Sequence, residues 1–107
     1  MDRPNVSGRE VDQATTAAYK KLYHRLGTKG WGSYASRHEI LGILTEEYHE
    51  LVEAVQSEPL EGSRHSVREE LLDIAVGCIF GVACIDGGYL RDHKNPVPAE
   101  QAEQVAQ

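Results

Sequence analysis

Four carboxylates stand at spacings that could do chemistry: Glu47 and Glu50 are three residues apart, as are Glu70 and Asp73. A separation of three puts both members of a pair on one side of a helix. At about 100° per residue, with Glu47 at zero, Ile40, Ile43, Leu44, Leu51 and Ala54 fall within about 60° of it. Glu47 therefore sits in the middle of an apolar face, with Glu50 on its flank. Glu46, Glu53 and Glu58 fit an ordinary solvated face. Asp73 is sharper still, being the one charged residue in an otherwise apolar run over 71–85. Buried ionised carboxylates need a partner or a cation. Arg64 and Arg68 could pair with Glu69, but no basic residue follows Arg37 in the helix that carries Glu47. Two antiparallel helices could bring the four acids to one point, where a cation would have to hold them together. An all-oxygen donor set selects Mg²⁺, with Mn²⁺ as substitute, over zinc.

The elements that position these acids are helical. Asp12 is expected to cap a first helix running to about Leu26, with Ala14, Ala18, Leu22 and Tyr23 among its buried positions. Gly27, Gly30 and Gly32 then break it in a loop that holds Trp31, the only tryptophan. A second helix starts at Ser33 or Ser36 and runs to about Gln56, and residues 57–63 form a linker. A third, capped by Ser63 or Ser66, runs to about Ile85 and is stopped by Gly87 and Gly88. Gly77 and Gly81, four apart, would permit close helix approach on one side. No segment shows the alternation of a strand. The reading is a flexible arm over 1–10, a domain over 11–90, and a tail over 91–107 with a short helix from Ala99. The fold class is all-α: a helical bundle of three main helices plus a short C-terminal segment. A third helix apolar on every side asks for more cover than three helices of one chain supply, so oligomerisation completes the bundle.

Glu46-Glu47-Tyr48-His49-Glu50, then nineteen residues, then Glu70-Leu71-Leu72-Asp73 resembles the EExxE…ExxD signature of MazG-like nucleotide pyrophosphohydrolases. These belong to the all-α NTP pyrophosphatase superfamily, with dimeric dUTPases and phosphoribosyl-ATP pyrophosphohydrolases. The resemblance covers roughly residues 36–85, and each half-motif is short. It implies Mg²⁺-dependent hydrolysis of a nucleoside triphosphate between the α and β phosphates, giving a monophosphate and pyrophosphate. It also implies that Glu47, Glu50, Glu70 and Asp73 are metal ligands, that Glu46 orients or deprotonates the attacking water beside Glu47, and that the protein is a homodimer or homotetramer. A phosphoribosyl-ATP or dUTP specialist is the variant within this class. The P-loop signature GxxxxGK[ST] is absent from the sequence.

Substrate contacts are less legible. Trp31, Tyr34 and His38 are candidates for stacking on or bonding to a base, while Lys29, Arg91 and Lys94 are candidates for steering the outer phosphates. Arg91 and Lys94 could serve only if the tail folds back over the acids. A ferritin-like di-iron bundle is one rival, because Glu46 and His49 form an ExxH pair, but that architecture needs two such pairs. A non-catalytic regulatory domain of the same fold that binds a nucleotide or protein is the other.

Composition narrows the partners. The 107 residues hold 17 Asp and Glu against 11 Lys and Arg, a net charge of −6. That argues against a free-standing binder of long nucleic acid, which needs a basic surface or stripe, and disfavours an anionic membrane. Residues 1–10 lack the apolar segment of a secretory leader, and the run over 71–85 is too short to span a bilayer. Cys78 and Cys84 read as small buried hydrophobes in a reducing compartment. The expected location is cytoplasmic.

Overall fold

The structure, a computed structural model, describes residues 2–57 and 66–93. Among them are three helices and no strand: α1 (Gly8–Lys29), α2 (Arg37–Ser57) and α3 (Val67–Asp86). Most of the linker after Ser57, the alternative cap Ser63, and the tail from Lys94 onward, including the short helix expected from Ala99, lie outside the described residues.

The first helix starts earlier than expected. Ser7, not Asp12, is its cap: Glu10 N–H donates to Ser7 Oγ and Ser7 N–H donates back to Glu10 Oε1, both at 3.1 Å. This reciprocal pair satisfies two donors that a helix start leaves without partners, so residues 8–10 belong to α1 rather than to the arm. The helix also runs through Gly27 and ends at Gly30, whose φ of 97° only glycine adopts readily. Gly30 N–H closes the last turn on Leu26 O at 2.9 Å. Ala18, Leu22 and Leu26 are buried as a stripe, whereas Ala14 and Tyr23 are exposed, which corrects those two burial expectations.

The second helix is capped at Ser36, whose hydroxyl accepts from Glu39 N–H at 3.1 Å, while Ala35 N–H donates to Glu39 Oε1 at 2.9 Å. Ser66 caps α3 by accepting from Glu69 N–H at 3.0 Å. At the other end of α3, Gly87 N–H reaches Ala83 O, Tyr89 N–H reaches Cys84 O, and Gly88 takes the positive φ of 73°. That turn drives the fully buried Leu90 back against the domain.

α3 is the central helix, packing on α2 along one side and on α1 along another; α1 and α2 do not pack on each other among the described residues. Gly77 lies under Leu44, and Gly81 under Ile40; a β-carbon on Gly77 would stand 3.2 Å from Leu44 Cδ2. As residue numbers rise on α3 they fall on α2, so the two helices are antiparallel. Lys21 contacts Glu69 and Arg25 contacts Asp73, each 48 residues apart, so α1 and α3 run parallel. Leu22, Leu26 and Val76 form the core of this second contact, with Phe80 against them.

One chain leaves much of α3 bare. Leu71, Ile79 and Val82 are about half exposed on it, and Leu41, Tyr48 and Val55 are more so on α2. Cys84 is buried as expected, but Cys78 is exposed, which corrects the reading of both thiols as core. No described helix is long and apolar enough to cross a membrane.

Candidate metal centre

The antiparallel pairing of α2 and α3 sets Glu50 opposite Glu70 and Glu47 opposite Asp73. Each of the four can offer one carboxylate oxygen such that these oxygens lie within 4.8 Å of one another. Glu70 is buried, and the other three are half-buried. The glycine face of α3 permits this, because Gly77 lets the two backbones approach one turn beyond Asp73.

Glu47 faces the strongest conflict. Its Oε2 is buried without a hydrogen-bond partner. Burial, then the charges of Asp73 and Glu50, push its carboxyl above the ordinary glutamate value; Arg25 offsets part of this and Glu70 adds to it. A buried acceptor with no donor, beside three further acids, is what a hard divalent cation satisfies. The donor set therefore fits Mg²⁺ or Mn²⁺.

Two basic residues that the sequence reading missed complete the site. Lys21 Nζ lies 2.6 Å from Asp73 Oδ1, and Arg25 Nη2 lies 2.9 Å from the same oxygen. Lys21 also bridges to Glu69 Oε2 at 3.0 Å, and Arg68 meets Glu69 Oε1 at 3.3 Å. Burial pulls the Lys21 ammonium down, but its bonds to Asp73 and Glu69 outweigh that and hold it above the ordinary lysine value. Lys21 and Arg25 are one turn apart and border the buried stripe of Leu22 and Leu26. That adjacency was the available signal, and the parallel register with α3 was not readable from it.

The remaining candidates are dispersed. Glu46 is exposed on α2, and it is not one of the four converging acids. His49 is exposed, packs its ring against Tyr48 and stays out of the cluster, so the ExxH pair of a di-iron site is not assembled. Tyr34 packs edge-on against Phe80 with centroids 5.2 Å apart; burial above all holds its hydroxyl above the usual range, and Arg25 and Glu47 are within electrostatic reach. Trp31 is exposed and meets the edge of Tyr23. With Leu22, Leu26, Phe80 and Tyr89 these two rings help line an apolar cavity of about 490 Å³ between α1 and α3. Along α3, Phe80 stands about 10 Å beyond Asp73 at the helical rise.

His38, in the first turn of α2, and Lys29, in the last turn of α1, are both exposed. Arg91 N–H donates to Ala35 O at 2.8 Å, and Asp92 accepts from Arg37 N–H at 2.9 Å. The chain after Leu90 thus folds back onto the start of α2. Glu47 lies ten residues further along that helix, about 15 Å at the helical rise. Lys94 lies outside the described residues. Comparison with protein-family models, curated proteins and solved structures finds no match.

Proposed function

We propose that this protein is a Mg²⁺-dependent nucleoside triphosphate pyrophosphohydrolase. The observation that carries the reading is the convergence of Glu47, Glu50, Glu70 and Asp73 within 4.8 Å, from two helices whose sequence resembles the MazG-like signature. In this reading those four residues hold the metal. Bound there, Mg²⁺ would offset charge on the non-bridging phosphate oxygens and lower the pKa of the attacking water. The chain's own residues do the rest. Glu46, beside the metal ligand Glu47, orients the attacking water or takes its proton, and water adds across the α–β phosphoanhydride as pyrophosphate leaves. Trp31, at the apolar cavity between α1 and α3, and Tyr34, packed on Phe80, are the candidates for meeting the base. His38 and Arg91 lie at the start of α2, away from Glu47, and Lys29 is exposed one turn beyond Arg25, so we assign these three at most the periphery of the substrate.

The half-exposed apolar residues of α2 and α3 support a homodimer or homotetramer as the working form. The protein then acts in the cytoplasm on the nucleotide pool, with no role for long nucleic acid or membrane.

The test is product analysis. With Mg²⁺ and a panel of ordinary and modified triphosphates, the expected products are monophosphate and pyrophosphate. Glu47→Gln and Asp73→Asn should each lower turnover by about a hundredfold or more, the scale seen when a group that stabilises a transition state is lost. Diphosphate and phosphate as products, or full activity in both variants, would overturn the assignment. Binding of Mg²⁺ and nucleotide without any turnover would favour the regulatory reading instead.

A further inference from the structure

We infer that Lys21 and Arg25 hold the place of a cation at Asp73, and that they pass to phosphate oxygens when a divalent metal arrives with a polyphosphate. The site would then take metal and anion as a pair. The inference rests on the metal-centre reading above and extends it to residues outside the acidic signature.

The charges are unevenly shared. Two full cations converge on one oxygen, Asp73 Oδ1, at 2.6 and 2.9 Å. Across the cluster, Glu47 Oε2 is buried with no hydrogen-bond partner at all. Both side chains remain a quarter to a third exposed, on stems long enough to swing, and Lys21 already divides its ammonium between Asp73 and Glu69.

A metal that engages Asp73 must use Oδ2 or displace these cations from Oδ1, and in either case it meets two positive charges close by. Metal alone is therefore opposed by Lys21 and Arg25. A polyphosphate reverses the balance, because its oxygens accept from the released ammonium and guanidinium in charge-assisted hydrogen bonds. The same two residues thus weaken the metal by itself and strengthen the metal–anion pair.

The experiment titrates the full chain with Mn²⁺, read by the electron paramagnetic resonance of the free ion, and then titrates inorganic pyrophosphate calorimetrically at saturating Mn²⁺. Lys21→Met and Arg25→Met should each bind Mn²⁺ alone about three- to tenfold more tightly, the scale of removing one nearby like charge. Each should bind pyrophosphate about tenfold more weakly, because a charge-assisted bond is lost. Lys21→Arg keeps the charge and should track the wild type in both titrations, and circular dichroism checks that each variant is folded. Met variants that bind Mn²⁺ no more tightly, or that keep wild-type pyrophosphate affinity, overturn the exchange while leaving the metal centre standing. A wild type that binds Mn²⁺ neither alone nor with pyrophosphate removes the metal centre and the exchange together.

Discussion

Glu47 meets two opposed demands, one from folding and one from the site. Burial and the neighbouring acids raise its carboxyl in the folded protein, so the fold holds that proton more tightly than the unfolded chain does. Its contribution to stability is complete below the ordinary glutamate value and is lost as pH rises through the raised folded value. A metal-free sample should therefore melt at a lower temperature at pH 7 than Glu47→Gln, whose amide carries no charge to bury. Adding Mg²⁺ should raise the wild-type melting temperature and leave the variant nearly unmoved. Thermal melts with chelator and with Mg²⁺, from pH 5 to 8, check both halves. A variant that melts below the wild type without metal would contradict this account of the strain. At this scale the sequence was informative about the acids, since an acid centred on an apolar helical face is visible by counting. Their basic partners were not, because Lys21 and Arg25 reach Asp73 through a contact 48 residues long.

The glycines of α3 decide how near its acids come to those of α2. Gly81 has ordinary room for a methyl group, 3.6 Å from Ile40, so Gly81→Ala should stabilise the fold by about 0.5–1 kcal/mol through helix propensity. Gly77 is tighter. Its position 3.2 Å from Leu44 leaves no space for a branched side chain, and Gly77→Val should push the helices apart. That variant should lose about 1–3 kcal/mol of stability and weaken Mg²⁺ binding as well, which denaturant unfolding and metal titration would show. A Gly77→Val protein with wild-type metal affinity would show that the helix spacing does not govern the site. The existence and type of all three helices were legible from periodicity, as was the glycine face. Boundaries were less so. The capping box of Ser7 and Glu10 was masked by Pro4 and Gly8, which made the segment read as an arm. Exposure of Tyr23 and Cys78 was missed because helical period tells which residues share a face, not whether another element covers it.

Among the described residues α3 packs on both α1 and α2, which do not pack on each other. Its outer stripe carries Leu71, Ile79 and Val82 into solvent, and the buried core among the described residues is small. If a second copy covers that stripe, as the proposed function holds, a charge there should break the assembly without touching the acids. Val82→Glu should sediment as a monomer where the wild type sediments as a dimer or tetramer, and a wild-type monomer would refute the assembly. The net charge also changes meaning at this scale: four of the seventeen acidic residues share one cluster, so the acidity is partly local, and under the proposed function it would not repel a small polyanion arriving with its metal. Cys78 opens to solvent near that stripe while Cys84 is sealed inside. If the proposed assembly forms, Cys78 would report it: a thiol reagent should find Cys78 slow to react in the wild type and fast in Val82→Glu, so that subunit association could be timed by colour rather than weighed.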